Sequence, residues 1–451
     1  MRIPIGLDDY ALRQQQQQKT VEWNSSAVIN PHMLICGGSG TGKTYTVNRL
    51  IDVGVASARR DNQPIRFHVF DVHGDLKNPN ASSVRFSEAS PHGFNPLIIN
   101  PDPHFGGVRR KVQGLITALD RTARALGPKQ EAALRNLLID VYAANGFYAD
   151  RPDSWRMTDG RKMPAISDVL RFARAKLKSL YLGADTATVA ALEEVNRTMR
   201  QHLAAARRAA NAARTGDTEG ADKANSQIET LTAKAIDAFT KHLATLKTGR
   251  EFDDVLKYDS ADVLKGVVDR LENLDSLGIF KAAVPPFDPH APIWHYDITA
   301  LPSEESKLFV WFRLESIFNM AVQRGEQPGV RDIIIVDEAH RYASATNDDT
   351  TNPLDTLARE ARKFGVGLWG VSQSPHHFSE DFLGNVATKL LLGLDEMYWD
   401  QSVRKLKIPP ETLKFIKPRQ TLAAQIKGSG NTRNTFQQVV VGGPQYRTAA
   451  A

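Results

Sequence analysis

The chain has 451 residues, of which 41% are hydrophobic and 24% are charged, so it can form more than one domain and is not intrinsically disordered. Its formal net charge of +6 fits an acidic partner such as nucleic acid, but it fits solubility alone equally well. The single cysteine, Cys36, excludes a disulfide within the chain and is typical of a reducing cytoplasm. The sequence contains no apolar run long enough to span a bilayer and no signal-peptide core, so we expect a cytoplasmic protein without a transmembrane segment.

Short apolar runs mark the predicted strands. Residues 1–30 contain two of them, RIPIGL and TVEWN, separated by a polar loop that holds the five glutamines Gln14–Gln18. From residue 31 onward, apolar runs alternate with helical segments: MLIC, RFHVF, PIWHYDI, DIIIVD, GLWGVS and TKLLLGL. Near-continuous apolar strands separated by helices form parallel sheets that are covered on both faces. We therefore predict a short N-terminal β segment at 1–30 and one α/β core formed by residues 31–105 and 278–451.

Residues 106–277 interrupt this alternation and are predicted to form an all-helical insertion. Apolar residues recur at spacings of three and four in its first long helix, at Leu192, Val195, Met199, Leu203, Ala206 and Ala210. The segment TGDTEG breaks the pattern, and a second long helix is expected from about Ala221 to Leu246, which predicts an antiparallel hairpin. Arginines crowd the first helix and indicate either a solvated face or a surface for DNA or a partner: Arg197, Arg200, Arg207, Arg208 and Arg214.

A glycine-rich loop, ICGGSGTGKTYT, lies between the predicted strand MLIC and a helical pattern. It matches the phosphate-loop spacing G-x-x-x-x-G-K-[ST], in which backbone N–H groups and a helix N-terminus bind phosphates. Lys43 is expected to bridge the β- and γ-phosphates of ATP, and Thr44 to bind Mg²⁺. The alternative is a chance glycine-rich loop, which the flanking strand and helix disfavour. The residues assigned to nucleotide binding are Gly37, Gly38, Ser39, Gly40, Thr41, Gly42, Lys43, Thr44 and Tyr45.

An acidic pair follows the apolar strand in RDIIIVDEAHRY. Carboxylates at the carboxyl end of such a strand are expected beside the phosphate loop, where open α/β sheets bind ligands. Asp337 is then placed to hold Mg²⁺, and Glu338 to take a proton from the attacking water. The alternative is a surface turn that happens to begin with Asp-Glu. A general base predicts ATP hydrolysis, because a P-loop kinase must exclude water.

Four sequence blocks occur in a fixed order: ICGGSGTGKTYT, FHVFDVHGDL, IIIVDEAHRY and LAREARKFGVGLWGVSQSP. Together they resemble the HerA/FtsK superfamily of ring-forming P-loop motors, in particular its HerA-like branch and the related type IV secretion ATPases. The resemblance implies a RecA-like P-loop NTPase fold of class α/β, with a mostly parallel sheet, helices on both faces and a large all-helical insertion. It covers the sheet-forming blocks and does not extend to the insertion.

The resemblance also implies roles for residues outside the two nucleotide motifs. Gln373 is similar to a polar sensor of the γ-phosphate, although a turn-stabilising glutamine is the alternative. Arg362 resembles an arginine finger that acts in the neighbouring subunit, with Arg359 as the competing candidate and a surface salt bridge as the alternative for both. Asp71 and Asp75 resemble a second acidic pair that aids metal or water placement. The family usually has Glu where Asp75 stands.

The implied function is an ATP-hydrolysing motor that translocates duplex DNA, with ATP and Mg²⁺ as cofactors. The implied assembly is a homo-oligomer, a hexameric ring, that acts with a nuclease or another protein effector. HerA-type proteins often carry a β-barrel docking domain before the phosphate loop, and only about thirty residues precede it here. Docking is therefore expected to fall to the insertion, to the oligomer or to a separate chain.

Two other functions stay open from the sequence. The first is a type IV secretion or conjugation ATPase recruited to a membrane complex, because GFNPL at 93–97 is similar to a motif of that branch. The second is an ATP-gated oligomeric scaffold with little turnover, which the presence of Glu338 disfavours. His73 and His340 lie close after acidic residues, but no Cys/His spacing indicates zinc, so we expect no structural metal.

Overall fold

The computed structural model divides into two compact units, one of residues 1–94 and 277–451 and the other of residues 95–276. It describes the following residues: 1–104, 106–122, 126–157, 160–182, 186–215, 217–245, 257–258, 260–343, 352–428 and 435–442. The end of the second predicted hairpin helix, at Leu246, lies outside the described residues.

The first unit is built on one sheet, whose eleven described strands lie in the order β2-β1-β11-β10-β9-β3-β8-β7-β4-β6-β5. The seven strands from β9 to β5 in that order are parallel, and the other four pair antiparallel. The strands are β1 (Arg2–Asp8), β2 (Thr20–Asn24), β3 (Met33–Cys36), β4 (Arg66–Asp71), β5 (Ser82–Arg85), β6 (Ile293–Asp297), β7 (Asp332–Val336), β8 (Val366–Ser372), β9 (Thr388–Leu391), β10 (Thr421–Ile426) and β11 (Gln437–Val440).

The predicted α/β class with a mostly parallel sheet is confirmed. The strand β5 was not predicted, because its sequence, SSVR, is short and mostly polar. The described α-helices are, in chain order, α1 (Asp9–Gln14), α2 (Lys43–Arg60), α3 (Val108–Thr122), α4 (Pro128–Ala144), α5 (Ile166–Leu182), α6 (Thr186–Thr215), α7 (Thr218–Thr245), α8 (Ala261–Ser276), α9 (Ser303–Arg324), α10 (Pro353–Glu360), α11 (Glu380–Asn385), α12 (Trp399–Leu406) and α13 (Pro410–Lys414).

The central strands β3, β7 and β8 are buried along their whole length. Their side chains join a core in which the rings of Trp23 and Trp369 meet edge to face, 5.7 Å apart. The N-terminal strand β1 extends the same sheet, and Arg49 of α2 ties it down by donating to the carbonyls of Pro4 and Ile5, at 2.8 and 3.0 Å. The helix that follows the phosphate loop is thus fixed to the sheet by its own side chain.

The second unit is helical in its described residues and contains the antiparallel pair α6 and α7. Buried positions recur at intervals of seven, at Thr198 and Ala205 on α6 and at Ala224, Leu231 and Ala238 on α7. Four of these five residues are small, Thr198, Ala205, Ala224 and Ala238, which allows the two helices to approach closely.

The apolar face predicted for α6 is wrong at its centre. Met199 and Leu203 are 51% and 54% exposed, whereas the buried positions Thr198 and Ala205 lie outside the predicted series. The periodicity misled because alanines occur on several faces of α6 and make more than one stripe look apolar. Among the described residues, no helix has the length and apolar character needed to cross a membrane.

Candidate nucleotide-binding site

A cavity of about 860 Å³ brings together residues from the carboxyl ends of four parallel strands in the first unit. The phosphate loop follows β3, and the acidic pair Asp337 and Glu338 follows β7. Gln373 follows β8, and Asp75 lies in the loop after β4. The two nucleotide motifs, almost three hundred residues apart, therefore line one cavity, at the edge where open α/β sheets bind ligands.

The phosphate loop has the backbone that its glycines permit. Gly42, which caps α2, has φ +96°, a conformation that side chains with a Cβ adopt rarely. A Cβ at Gly37 would lie 2.5 Å from Thr41 Oγ1, so the loop could not fold this tightly around another residue. Lys43 Nζ donates to the carbonyls of Gly37 and Gly38, at 2.6 and 3.1 Å, which holds the ammonium over the loop.

The residues after Lys43 form the first turn of α2. Thr44 and Tyr45 both line the cavity, and the Tyr45 side chain is 72% exposed. The free N–H groups of a helix N-terminus carry partial positive charge. The loop and the helix together therefore suit an anion with several oxygens, such as a polyphosphate.

The acidic pair is buried at the end of β7. Asp337 and Glu338 are only 8% and 6% exposed. Burial, and then the neighbouring carboxylates of Glu338 and Asp71, raise the pKa of Asp337 to about 6. Since a divalent cation would offset this repulsion, the donor set fits Mg²⁺, which prefers carboxylate and hydroxyl oxygens.

Asp71 and Asp75 differ in what their carboxylates do. Both Asp71 oxygens are bonded within the protein: Oδ1 accepts from the backbone N–H of Gly74 at 2.7 Å, and Oδ2 lies 3.0 Å from His295 Nε2. Asp71 thus shapes the turn that follows β4. Asp75, in that turn, is exposed and lines the cavity.

Gln373 and Arg362 lie near opposite ends of β8, and Arg359 lies earlier in the chain, in the helix α10. Gln373 is exposed and lines the cavity, directly after the carboxyl end of the strand. Arg362 lies in a short 3-10 helix, Ala361–Phe364, just before the amino end, and it is exposed. The seven residues of β8 span about 20 Å. Among the described residues that line the cavity, neither Arg362 nor Arg359 appears.

The cavity is also lined by residues that the sequence did not indicate. They come from β1, α2 and the β10–β11 region: Ile5, Arg49, Arg419, Thr421, Leu422, Val441 and Gly442. Arg419 Nε donates to the carbonyl of Gly40 at the tip of the phosphate loop, at 3.1 Å. No local motif marks these residues, because the contact between Arg419 and Gly40 joins positions 379 apart.

Solved structures show the same fold. The chain is similar to VirB4 of Thermoanaerobacter pseudethanolicus, with a TM-score of 0.61 and 14% identity over 99% of this chain and 97% of that one. It is also similar to the plasmid coupling protein TrwB in complex with ADP and Mg²⁺, with a TM-score of 0.51 and 12% identity over 99% and 95% of the two chains. At these identities the likeness concerns the fold, which is that of P-loop NTPases.

A match over about two thirds of the chain shows its family, and sequence relatives that match over shorter stretches carry the same name. A DNA double-strand break repair helicase HerA of Pyrococcus furiosus is 27% identical over 180 residues, which cover 32% of each chain. A probable DNA double-strand break repair helicase HerA of Methanocaldococcus jannaschii is 40% identical over 65 residues, which cover 14% of this chain and 13% of that one. The matches thus span a third or less of these relatives. Residues 12–311, about two thirds of the chain, match the family described as "Helicase HerA, central domain". The resemblance to the HerA-like P-loop motors is confirmed, and the chain belongs to the family of the helicase HerA central domain.

Proposed function

We propose that the protein binds ATP with Mg²⁺ in this cavity and hydrolyses the bond between the β- and γ-phosphates. The observation that carries this proposal is the common cavity of the phosphate loop and the acidic pair Asp337 and Glu338. The solved TrwB structures with ADP and Mg²⁺ and with the non-hydrolysable analogue ADPNP support the choice of ligand. Family membership supports the same assignment.

The proposed roles follow from charge and position. Lys43 and the N–H groups of residues 37–45 bind the phosphates, and Thr44 and Asp337 hold Mg²⁺, which offsets charge on the phosphate oxygens. Glu338 accepts a proton from the attacking water. Gln373 binds the γ-phosphate or that water, and Asp75 helps to place the metal or the water. Asp71 acts through the turn that its carboxylate organises.

The part of the cavity lined by Tyr45, Leu422 and Val441 is proposed to take the base and ribose. Tyr45 offers an exposed ring for stacking, and Leu422 and Val441 offer apolar contacts. Arg419, next to the tip of the phosphate loop, adds a cation within reach of the phosphates or the ribose.

Arg362 is proposed to act in the site of a neighbouring subunit of a ring, for which a hexamer is the expected form. Its position at the amino end of β8, away from the cavity of its own chain, supports action in trans. The test mixes Arg362→Ala subunits with Glu338→Gln subunits. Restored ATP turnover in the mixture is expected, and no restoration at any ratio counts against a trans role. Arg359→Ala, mixed in the same way, decides between the two arginines.

The proposed work of the motor is translocation of duplex DNA, in the cytoplasm, with a protein effector. The relatives named as DNA repair helicases support this proposal. A further support is the exposed row Arg200, Arg207 and Arg214, whose seven-residue spacing places them on one face of α6. We propose the second unit, residues 95–276, as the insertion that contacts partners.

The test of translocation is ATP turnover with and without linear duplex DNA, together with the mass of the assembly in the presence of nucleotide. Stimulation by DNA that weakens as salt rises, in a ring-sized assembly, is expected. Turnover that ignores DNA at every salt concentration contradicts the DNA motor.

The rival is a secretion or conjugation ATPase recruited to a membrane complex. Its specific sequence support, GFNPL at 93–97, has a packing explanation in the first unit: Phe94 stacks on Phe86 with ring centroids 5.5 Å apart, and Arg313 lies 4.4 Å from the Phe94 ring. Co-fractionation with an inner-membrane complex, without DNA stimulation, would favour the rival. ATP-dependent assembly with negligible turnover would favour the scaffold.

A further inference from the structure

The carboxylate of Glu338 lies between two histidines. His340 Nδ1 is 3.1 Å from Oε2, and His73 Nε2 is 3.8 Å from Oε1. The two contacts differ in direction, because His73 lines the cavity and His340 is absent from its described lining. Oε1 thus lies on the side of His73 and the cavity, and Oε2 lies on the side of His340.

His340 Nδ1 lies 3.1 Å from Glu338 Oε2 and 3.4 Å from Ser372 Oγ, so it faces both the carboxylate and the hydroxyl. Burial lowers the pKa of His340 more than the neighbouring Glu338 carboxylate raises it, which favours the uncharged imidazole. The Ser372 hydroxyl donates to the carbonyl of Ser374 at 3.3 Å, so it can accept from Nδ1. A neutral ring with its proton on Nδ1 therefore has two acceptors within reach, Ser372 Oγ and Glu338 Oε2. Glu338 itself has φ +47°, a strained conformation for a residue with a side chain, so its position depends on the contacts around it.

Further rings hold His340 in its plane. His377 stacks on His340 with centroids 4.9 Å apart, and the His376 ring lies 3.7 Å from His377. His376 is fixed in turn by Tyr398, stacked at 4.7 Å, and by Ser374 Oγ, 2.6 Å from its Nδ1. Because these contacts restrict rotation of the imidazole, Nδ1 stays directed at Glu338 and Ser372.

We propose that His340 is a positioning residue for Glu338, which holds Oε2 so that Oε1 is free to accept the proton of the attacking water. This inference rests on the proposed ATP hydrolysis. In that reaction the water oxygen bonds to the γ-phosphorus, the bond from that phosphorus to the β–γ bridging oxygen breaks, and the water proton passes to Oε1. A freely rotating Glu338 would spend part of its time with neither oxygen directed at the water.

The test compares two substitutions of similar size in the full chain. In His340→Asn the amide Nδ2 can take the place of the imidazole Nδ1, whereas in His340→Gln the amide lies near the position of Nε2. We expect His340→Gln to lower kcat about tenfold and His340→Asn to restore most of it. The Kd for ATP, measured with a fluorescent analogue, should stay within about twofold of wild type in both, because His340 makes no proposed contact with nucleotide.

Wild type and Glu338→Gln are measured beside these variants. Normal turnover by His340→Gln, with Glu338→Gln inactive, would overturn the role of His340 and leave the proposed function intact. Equal losses in the Asn and Gln variants, together with weaker ATP binding or a lower Tm, would show a merely structural histidine and would also overturn it. A wild-type protein that hydrolyses no ATP would remove the proposed function and this inference together.

Discussion

The sheet edge of the first unit and the α6–α7 hairpin of the second are stabilised in different ways. Around the cavity, residues far apart in sequence are held by fully buried strands, as Cys36, Val336 and Ser372 show at the ends of β3, β7 and β8. In the hairpin, the two helices are neighbours in sequence, and their ion pairs, such as Lys223 with Glu219, are exposed and one helical turn apart. Such exposed pairs contribute little stability. A rigid sheet edge suits chemistry, whereas an exposed hairpin suits contact with partners.

The contrast predicts that loss of the phosphate-loop lysine abolishes turnover and leaves the hairpin unchanged. Lys43→Ala removes the ammonium held over Gly37 and Gly38, so ATP turnover should fall about 100-fold or more. Helical content by circular dichroism should match wild type. Lys19→Ala, at an exposed position of the same unit, is the matched control. ATP turnover close to wild type in Lys43→Ala would contradict the assignment of this loop to phosphate binding.

The hairpin can be tested with two leucines on different faces. Leu231→Ala opens space at a position only 9% exposed and should cost about 2 kcal/mol of local stability, whereas Leu203→Ala, at a 54% exposed position, should cost less than about 0.5 kcal/mol. Hydrogen exchange of the α6 and α7 amides in the full chain measures both. Equal effects, or a larger effect at Leu203, would show that the sequence-predicted face is buried in solution.

The core should lose stability in mild acid through His32. Its Nδ1 accepts the N–H of Leu368 at 3.0 Å, and burial, followed by the charge of Arg362, lowers the pKa of His32 to about 3. The unfolded chain takes up a proton near pH 6.5 and the folded chain does not, so stability falls as the pH drops from about 6.5 to about 3. The slope is at most about 1.4 kcal/mol per pH unit.

The raised pKa of Asp337 increases the free energy of unfolding as the pH falls below about 6, which opposes the loss through His32. The test therefore compares wild type with a variant that lacks His32. Denaturant unfolding across this pH range should show a smaller acid-dependent loss in His32→Gln than in wild type. A loss remains in both proteins because His68 is buried too, with its pKa lowered to about 4. Parallel curves for the two proteins would rule out His32 as the source.

Substitution of Arg419 should have a modest effect on the affinity for ATP. Loss of its contact with the tip of the phosphate loop in Arg419→Ala should weaken ATP binding about fivefold, which corresponds to about 1 kcal/mol. Equilibrium titration with a fluorescent nucleotide measures the change, and Arg59→Ala, exposed at the other end of α2, is the control. An unchanged Kd would exclude Arg419 from the base and ribose end of the site.

The sequence predicted the features that local pattern determines. The loop at Gly37–Thr44 and the strand before Asp337 are continuous in the chain, so their spacing alone indicates their structure. Contacts between distant segments could not be predicted in this way: Arg419 reaches Gly40, and His377 reaches His340, only through the packing of strands. The buried face of α6 was missed for a different reason, because many alanines leave several faces equally apolar.

The account depends on Glu338 and the phosphate loop acting on the same bound triphosphate. The most direct measurement is ATP turnover and ATP affinity of Glu338→Gln in the full chain. A turnover at least about 100-fold below wild type, with the Kd for ATP unchanged, is the predicted result. Turnover equal to that of wild type would contradict the central claim, whatever the other variants show.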